Sequence, residues 1–362
     1  MKEKENLTYI LGAGASYESV PLVKNFARRF MFFVKSMGEL INHPDVSFPD
    51  SKNIKKLHSF SLGLYKEISS HQSFDTFFKK LFHTQEYARI NLYKKVLNIY
   101  FLWESATIQN GNASENDINE KQEGDFIKKS KIDKRYDALV AGLLVPKKGI
   151  IQPYCKVNFL TWNYDLNLLM SLKNYLAPNN TIGGFLSSID KGGGVWKYKE
   201  DFTIINMNGY FYRSEINNLT TITNVQINEL IFSIIKEDYF DDMVIDHDSN
   251  LLKFAWESEN KLIPIAKLVI DGSSNIVIIG YTFPLYNRLV DLSYLEQSII
   301  SHKKIFIQDP NGDIIRQNLI DYYQLKDNQI LEKNLKSIKD CDSFYIPSDV
   351  FGIKQMSRIF VG

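Results

Sequence analysis

The stretch Leu7-Thr8-Tyr9-Ile10-Leu11-Gly12-Ala13-Gly14-Ala15-Ser16 predicts a buried strand that ends in a tight glycine turn. An apolar-periodic run from about Val20 to Leu40 follows and predicts a helix. Because glycine lets backbone N–H groups come close to a phosphate, a first strand-turn-helix of this kind favours phosphate binding. The turn also fits a plain strand-to-helix connection, since position 17 is tyrosine where the usual dinucleotide fingerprint has its third glycine.

Strand-like and helix-like runs alternate along the rest of the chain. Further strands are predicted over residues 156–160, 202–207, 275–280 and 304–308, with a last short one near Phe344. Helices are predicted over residues 54–103, 136–144, 166–175, 225–235, 251–270, 286–301 and 313–323, and glycines at 183–184 and 192–194 mark a hairpin or surface loop. Such alternation implies crossover connections, so we expect an α/β fold: a Rossmann-like, mostly parallel sheet with helices on both faces.

The predicted helices after the first strand suggest that the sheet is interrupted by an inserted helical subdomain. We expect residues 1–53 to begin the Rossmann-like domain and residues 151–362 to complete it. Residues 54–150 would form the insertion, with a mobile loop near 109–124, where polar residues leave almost nothing to bury.

Composition excludes several classes of protein. The chain has 362 residues, 44% of them hydrophobic, so it is neither a small module nor wholly disordered. Its 43 basic and 42 acidic residues give a net charge of +1, which disfavours nucleic-acid binding as the main function. Two cysteines and six histidines without ligand spacing predict no metal site and no disulfide framework. Without a signal peptide or a long apolar run, we expect a cytoplasmic protein that does not enter a membrane.

Unusual polar clusters follow the predicted strands directly. In Thr161-Trp162-Asn163-Tyr164-Asp165, an amide and a carboxylate two residues apart can hold ribose hydroxyls and a water, with the acid near a developing cation. Capping of the next helix by Asn163 or Asp165 is the plainer alternative. Ligands of parallel sheets bind beyond the carboxyl ends of the strands, so we expect these clusters to converge.

Three of the clusters, taken in order, resemble the sirtuin-like NAD-consuming domains, above all the prokaryotic branch that acts in antiphage defence. The clusters are residues 12–16, residues 161–165 and the run Gly280-Tyr281-Thr282-Phe283-Pro284, and the resemblance spans roughly residues 5 to 310. It implies that the chain cleaves NAD as a substrate, with no metal.

The resemblance also implies roles for single residues. Asn163 matches the catalytic asparagine that places the water at C1′ of the nicotinamide ribose, and Asp165 matches the acid on the nicotinamide side. Phe74, Asp75 and Phe78 lie in the helical insertion that usually roofs the site, although core packing suits the two phenylalanines better. The residues implied in NAD binding are Gly12, Ala13, Gly14, Ser16, Thr161, Gly209, Gly280, Thr282, Phe283 and Asp309.

One position departs from that family. Where a His-Gly pair normally follows the third strand, this chain has Asn208-Gly209, so Asn208 is the third candidate catalytic residue. An amide cannot accept a proton as histidine does. The domain could therefore be slow, recruit another base such as His71, or be inactive. The asparagine could be natural or a substitution made to trap NAD. Asn287 likewise stands where an acid often follows the third cluster.

The leading hypothesis is an NAD glycohydrolase that releases nicotinamide and ADP-ribose, since loss of a cationic pyridinium needs no proton donor. It would deplete NAD in antiphage defence, as a homo-oligomer with a separate ATPase or Argonaute-like partner. The alternative is a catalytically impaired NAD or ADP-ribose sensor or scaffold. Protein deacylation is disfavoured, because the zinc ribbon of ordinary sirtuins needs four cysteines and the chain has two.

Overall fold

The structure of the chain is a computed structural model, and all descriptions below concern the residues that it describes. These are residues 6–17, 19, 25–41, 51–110, 133–147, 150–177, 190–192, 195–198, 201–209, 231–232, 234–235, 239–240, 252–254, 256–257, 262–300, 303–323 and 334–351.

The centre of the molecule is an eight-stranded sheet. The described residues form ten strands, eight of them in this sheet. In chain order they are β1 (Asn6–Leu11), β2 (Leu144–Lys147), β3 (Ile150–Pro153), β4 (Lys156–Thr161), β5 (Asp190–Gly192), β6 (Val195–Tyr198), β7 (Phe202–Asn206), β8 (Asn275–Ile279), β9 (Lys304–Gln308) and β10 (Leu335–Ile338). In space the sheet runs β10-β9-β8-β1-β4-β7-β6-β5, while β2 and β3 form a separate hairpin.

Six of these strands, from β10 to β7, are parallel, and β6 and β5 add an antiparallel edge. Numbered by chain order among themselves, the parallel strands follow the order 3-2-1-4-5-6 of the doubly wound Rossmann fold. The predicted fold class is therefore confirmed. It follows from apolar runs such as Ile276–Ile279, which suit strands buried on both faces.

Helices cover both faces of the sheet. They are α1 (Phe26–Ile41), α2 (Ser51–Ile68), α3 (Phe74–His83), α4 (Tyr87–Asn110), α5 (Lys134–Leu143), α6 (Asn167–Leu176), α7 (Leu262–Asp271), α8 (Arg288–Ile300) and α9 (Gly312–Tyr322). Successive side chains of a strand point to opposite faces, so Tyr9 joins the core under α1–α6 and Ile10 the core under α7–α9.

Several element predictions need correction. The helix predicted over residues 251–270 is shorter: among the described residues it is α7, whereas residues 252–254 are not helical and Leu252 forms an isolated bridge with Gly209. Within the described residues the last strand is β10 and not a strand near Phe344, which lies in a segment without strand pairing. Residues 109–110, predicted to open a mobile loop, belong to α4. The β2–β3 hairpin was not predicted, because its four-residue strands are too short to show a pattern.

Other predictions fall partly outside the described residues. The first helix begins at Phe26 among them, whereas Val20 lies outside. Residues 111–124 of the predicted loop, glycines 183–184 and residues 225–230 also lie outside. The helices α2–α4 lie in sequence between the adjacent strands β1 and β4, and the domain boundaries at 53 and 150 stay a prediction. Among the described helices, none has the length and apolarity needed to cross a bilayer.

Candidate functional site

A cavity of about 820 Å³ opens beyond the carboxyl ends of the parallel strands. Residues that follow β1, β4, β7, β8 and β9 line it, and residues of α3 and α4 complete its wall. Doubly wound sheets bind ligands at this edge, where the strand order reverses between β1 and β8. The volume is that of a pocket for a substrate or cofactor of moderate size.

Most of the residues singled out from the sequence meet in this cavity. The lining includes the three candidate catalytic residues and six of the ten candidate binding residues: Asn163, Asp165, Asn208, Ala13, Gly14, Ser16, Gly280, Thr282 and Asp309. The expectation that the polar clusters converge is thus confirmed as a matter of geometry.

The other four candidates are not part of the lining: Gly12, Thr161, Gly209 and Phe283. Thr161 Oγ1 accepts a hydrogen bond from the N–H of Asn163 (3.0 Å) and so fixes the first residue of that cluster. Gly209 adopts a φ of 69° and closes the turn after β7. Phe283, with a φ of 53°, packs edge-on against Tyr281. These residues shape the loops whose neighbours face the cavity.

The glycines of the first and third clusters pack against each other. Gly280 has a φ of 58°, and a Cβ there would overlap the backbone of Gly14 and Ala15. A Cβ on Gly12 would lie 2.5 Å from the carbonyl oxygen of Gly280. The N–H of Gly14 donates to Gly280 O (3.0 Å) and that of Ala15 to Gly12 O (2.9 Å). The immediate role of these glycines is therefore close packing of two loops, and their N–H groups are partly used within the protein.

Asn163 is held by the first cluster. Its Nδ2 donates to Ser16 Oγ (3.1 Å), and the same oxygen shares a hydrogen bond with Tyr136 OH (3.0 Å). Burial raises the pKa of Tyr136 well above its usual value, so the phenol stays protonated. The amide of Asn163 is thus oriented at the cavity by a group from another loop, and its bond to Ser16 is not a cap of α6, whose N-cap is Leu166.

Asp165 lies one residue before the N-cap of α6, where it binds the N–H of the first helical residue, and it also lines the cavity. Its Oδ1 accepts from the backbone N–H of Asn167 (2.9 Å) and from Asn167 Nδ2 (2.7 Å). Burial is the largest cause that raises the pKa of Asp165, and hydrogen bonds from Ser16 and Asn167 act in the opposite direction. The capping alternative and the cavity position are therefore compatible.

Arg135 brings a positive charge to the cavity next to the glycine turn. It forms a buried ion pair with Asp133 (2.6 Å), and its Nη2 donates to Ala15 O (3.0 Å). Its guanidinium also lies over the ring of Tyr17, 4.4 Å from the ring centroid. Four acidic side chains share the lining with it: Asp75, Glu104, Asp165 and Asp309.

Asn208 is buried at the floor of the cavity. Its side-chain Nδ2 donates to the backbone carbonyl oxygen of Trp162 (2.7 Å), and its backbone carbonyl oxygen accepts from the backbone N–H of Lys253 (2.9 Å). The side chain is thus fixed by the strand end that carries Asn163. Trp162 in turn stacks on Tyr281, with ring centroids 5.4 Å apart.

Asp309 and Thr282 mark the side of the cavity beyond β8 and β9. Asp309 Oδ1 accepts from the N–H of Asn311 (2.8 Å), which orders the loop before α9. Thr282 is exposed. Asn287, the second departure from the family pattern, lines the cavity and donates from Nδ2 to Tyr281 OH (3.3 Å).

The wall from α3 and α4 was only partly predicted. Phe74 and Asp75 line the cavity, whereas Phe78 packs on Phe254 (4.7 Å between ring centroids), as expected for a core residue. Sequence reasoning missed several lining residues: Tyr100, Phe101, Glu104, Arg135 and Tyr286. For Glu104 the sequence did offer a signal, because a lone carboxylate follows the apolar run of α4. In the structure this carboxylate pairs with Arg29 (2.9 Å).

No family model matches the chain, and no curated protein matches its sequence. The class of protein is therefore described from its own fold and site. It is a Rossmann-like α/β protein with a cavity of about 820 Å³, lined in part by acidic side chains, at the carboxyl edge of its sheet.

Proposed function

We propose that the chain is an NAD glycohydrolase that cleaves the nicotinamide N-glycosidic bond to give nicotinamide and ADP-ribose. The observation that carries the proposal is the meeting of Asn163, Asp165 and Asn208 with the glycine turn and Asp309 around one cavity. These positions are the ones that the resemblance to sirtuin-like NAD-consuming domains assigns to NAD.

The placement of the residues suits the two ends of the dinucleotide. The diphosphate would lie at residues 13–16, beside Arg135, and the adenosine ribose toward Thr282 and Asp309. The nicotinamide ribose would then lie at Asn163, where the amide can hold a water against C1′. An acid such as Asp165 favours the cationic pyridinium ring and the positive charge that develops on the ribose.

The wider role is part of the same proposal. An NAD hydrolase of this kind would deplete cellular NAD in antiphage defence, working in the cytoplasm as a homo-oligomer. Recognition of the invader would come from a separate ATPase or Argonaute-like protein.

Asn208 favours a second candidate, an NAD or ADP-ribose sensor without turnover. Its amide is buried and donates to Trp162 O, so at this position the chain has a structural hydrogen bond in place of a titratable group. Such a protein would bind NAD in the same cavity and leave it intact.

The test is to incubate purified protein with NAD in H₂¹⁸O and to follow nicotinamide and ADP-ribose. We expect equal amounts of the two products, with one ¹⁸O atom in ADP-ribose. Saturable NAD binding with no nicotinamide release would favour the sensor. A protein that shows no NAD binding and no nicotinamide release would contradict both candidates.

Asn208→His is expected to raise the rate of NAD cleavage. Histidine titrates near neutral pH and can accept a proton from a ribose hydroxyl or water, and a general base of this kind contributes ~10²–10⁴-fold. The measurement is nicotinamide release per minute by the variant and by the wild type. Asn208→Gln, which keeps an amide, is the matched control; equal rates for all three proteins would show that position 208 does not limit the reaction.

A further inference from the structure

The cavity holds no histidine among the described residues that line it. His71, the sequence-based candidate to replace the missing base, hydrogen-bonds through Nδ1 with Glu67 O (2.8 Å), and its ring packs against Phe77. His71 is outside the lining, so a proton acceptor in this cavity would be a different side chain, one that belongs to its wall.

Asp75 is placed to take that part. It is the second residue of α3, lines the cavity and is 8% exposed. Ser73 caps the helix by accepting the N–H of Thr76 (3.1 Å), which fixes the backbone at Asp75.

Tyr286 holds Asp75 toward the loop that follows β8. Its OH donates to Asp75 Oδ2 (3.4 Å), and its carbonyl oxygen accepts from Lys79 Nζ (2.8 Å), one turn further along α3. Both Tyr286 and Asp75 belong to the lining, so the carboxylate is held at the junction of the helical wall and the β8 loop.

The electrostatic setting suits proton transfer near neutral pH. Burial raises the pKa of Asp75 to about 7, although the hydrogen bond from Tyr286 acts in the opposite direction. The pKa of Tyr164, whose ring lies 6.0 Å from that of Phe74, is raised by its own burial and then by Asp75. Among the described residues, the charged groups on this side include Lys79 on α3, Glu104 on α4, which is paired with Arg29, and the pair of Lys94 with Glu257.

We propose that Asp75 is the general base of the cavity, taking the proton of the water that attacks C1′ of the nicotinamide ribose. In this step the water oxygen bonds to C1′, and the bond from C1′ to the pyridinium nitrogen breaks with its electron pair staying on nitrogen. Nicotinamide leaves neutral, and the water proton moves to the Asp75 carboxylate and later to solvent. The inference rests on the proposed function and adds the group that Asn208 cannot supply.

The test is the pH dependence of nicotinamide release between pH 5 and 9. The wild-type rate should rise with pH and level off above about 7, where Asp75 is ionised. Asp75→Asn should lower the plateau ~10²–10⁴-fold and remove the rise, while Asp75→Glu should keep it. Binding of NAD to Asp75→Asn, followed by calorimetry, should persist, which separates lost chemistry from a lost fold.

Asp291→Asn is the matched control. Burial raises the pKa of Asp291 to about 7 as well, but this carboxylate accepts from Tyr281 and Tyr294 and is not in the lining. Its variant should keep the pH-dependent rise. A rise that persists in Asp75→Asn would overturn the inference alone and point to Asp165, whose pKa is also raised by burial. Absence of nicotinamide release from the wild type at every pH would overturn the proposed function and this inference together.

Discussion

Asn163→Ala is expected to abolish NAD cleavage, with a loss of at least ~10²-fold in rate. The amide is oriented by Ser16, which Tyr136 holds in turn, so its truncation removes the group that would position the attacking water. The stability cost should be small, about 1 kcal/mol, because one hydrogen bond is lost at the wall of a cavity that water can enter. The measurement is nicotinamide release by chromatography, with a melting curve of the same sample.

The matched control for this prediction is Asn318→Ala. Asn318 is an exposed residue of α9 outside the cavity lining, so its truncation should leave the rate unchanged. A rate for Asn163→Ala within a factor of about two of the wild type would contradict the role given to this amide.

Gly280→Ala is expected to lower the free energy of unfolding by at least about 2 kcal/mol. A residue with a Cβ is strained in the left-handed backbone conformation at a φ of 58°, which raises the free energy of the folded state. The added methyl would also overlap the backbone of Gly14 and Ala15. Two loops that line the cavity would move apart, so NAD binding should weaken as well. Denaturant unfolding checks the stability and calorimetry the affinity.

Gly63→Ala serves as the control for that substitution. Gly63 lies within α2, and a Cβ there would meet Tyr93 OH at 3.6 Å, which is an ordinary van der Waals distance. Alanine favours a helix over glycine by ~1 kcal/mol, so this variant should be at least as stable as the wild type. Equal stabilities for Gly280→Ala and the wild type would show that the contact between the two glycine loops does not matter.

The parts of the fold that could be predicted from sequence are those with a local cause. Strands such as Asn275–Ile279 are continuous apolar runs, and the turns after them are marked by glycine or by Asn and Asp. Since parallel strands end at one edge of the sheet, the convergence of Asn163, Asn208 and Gly280 followed from topology alone.

What could not be predicted depends on distant contacts. The segment 252–254 was predicted as helix, but it is not helical: Leu252 bridges Gly209, and the backbone N–H of Lys253 donates to the backbone carbonyl of Asn208. Asp75 looks like an ordinary first-turn acid of a helix, and only its burial in the folded chain raises its pKa to about 7, against the opposite effect of the hydrogen bond from Tyr286. Arg135 likewise gains its place from contacts with Ala15 and Cys341, 120 and 206 residues away in sequence.

The most direct test of the account is a calorimetric titration of Asn163→Ala with NAD, because this variant should bind the dinucleotide without consuming it. The account predicts saturable heat with one NAD per chain and competition by ADP-ribose. Absence of saturable heat, in a sample whose melting curve shows a folded protein, would contradict the claim that this cavity is an NAD site.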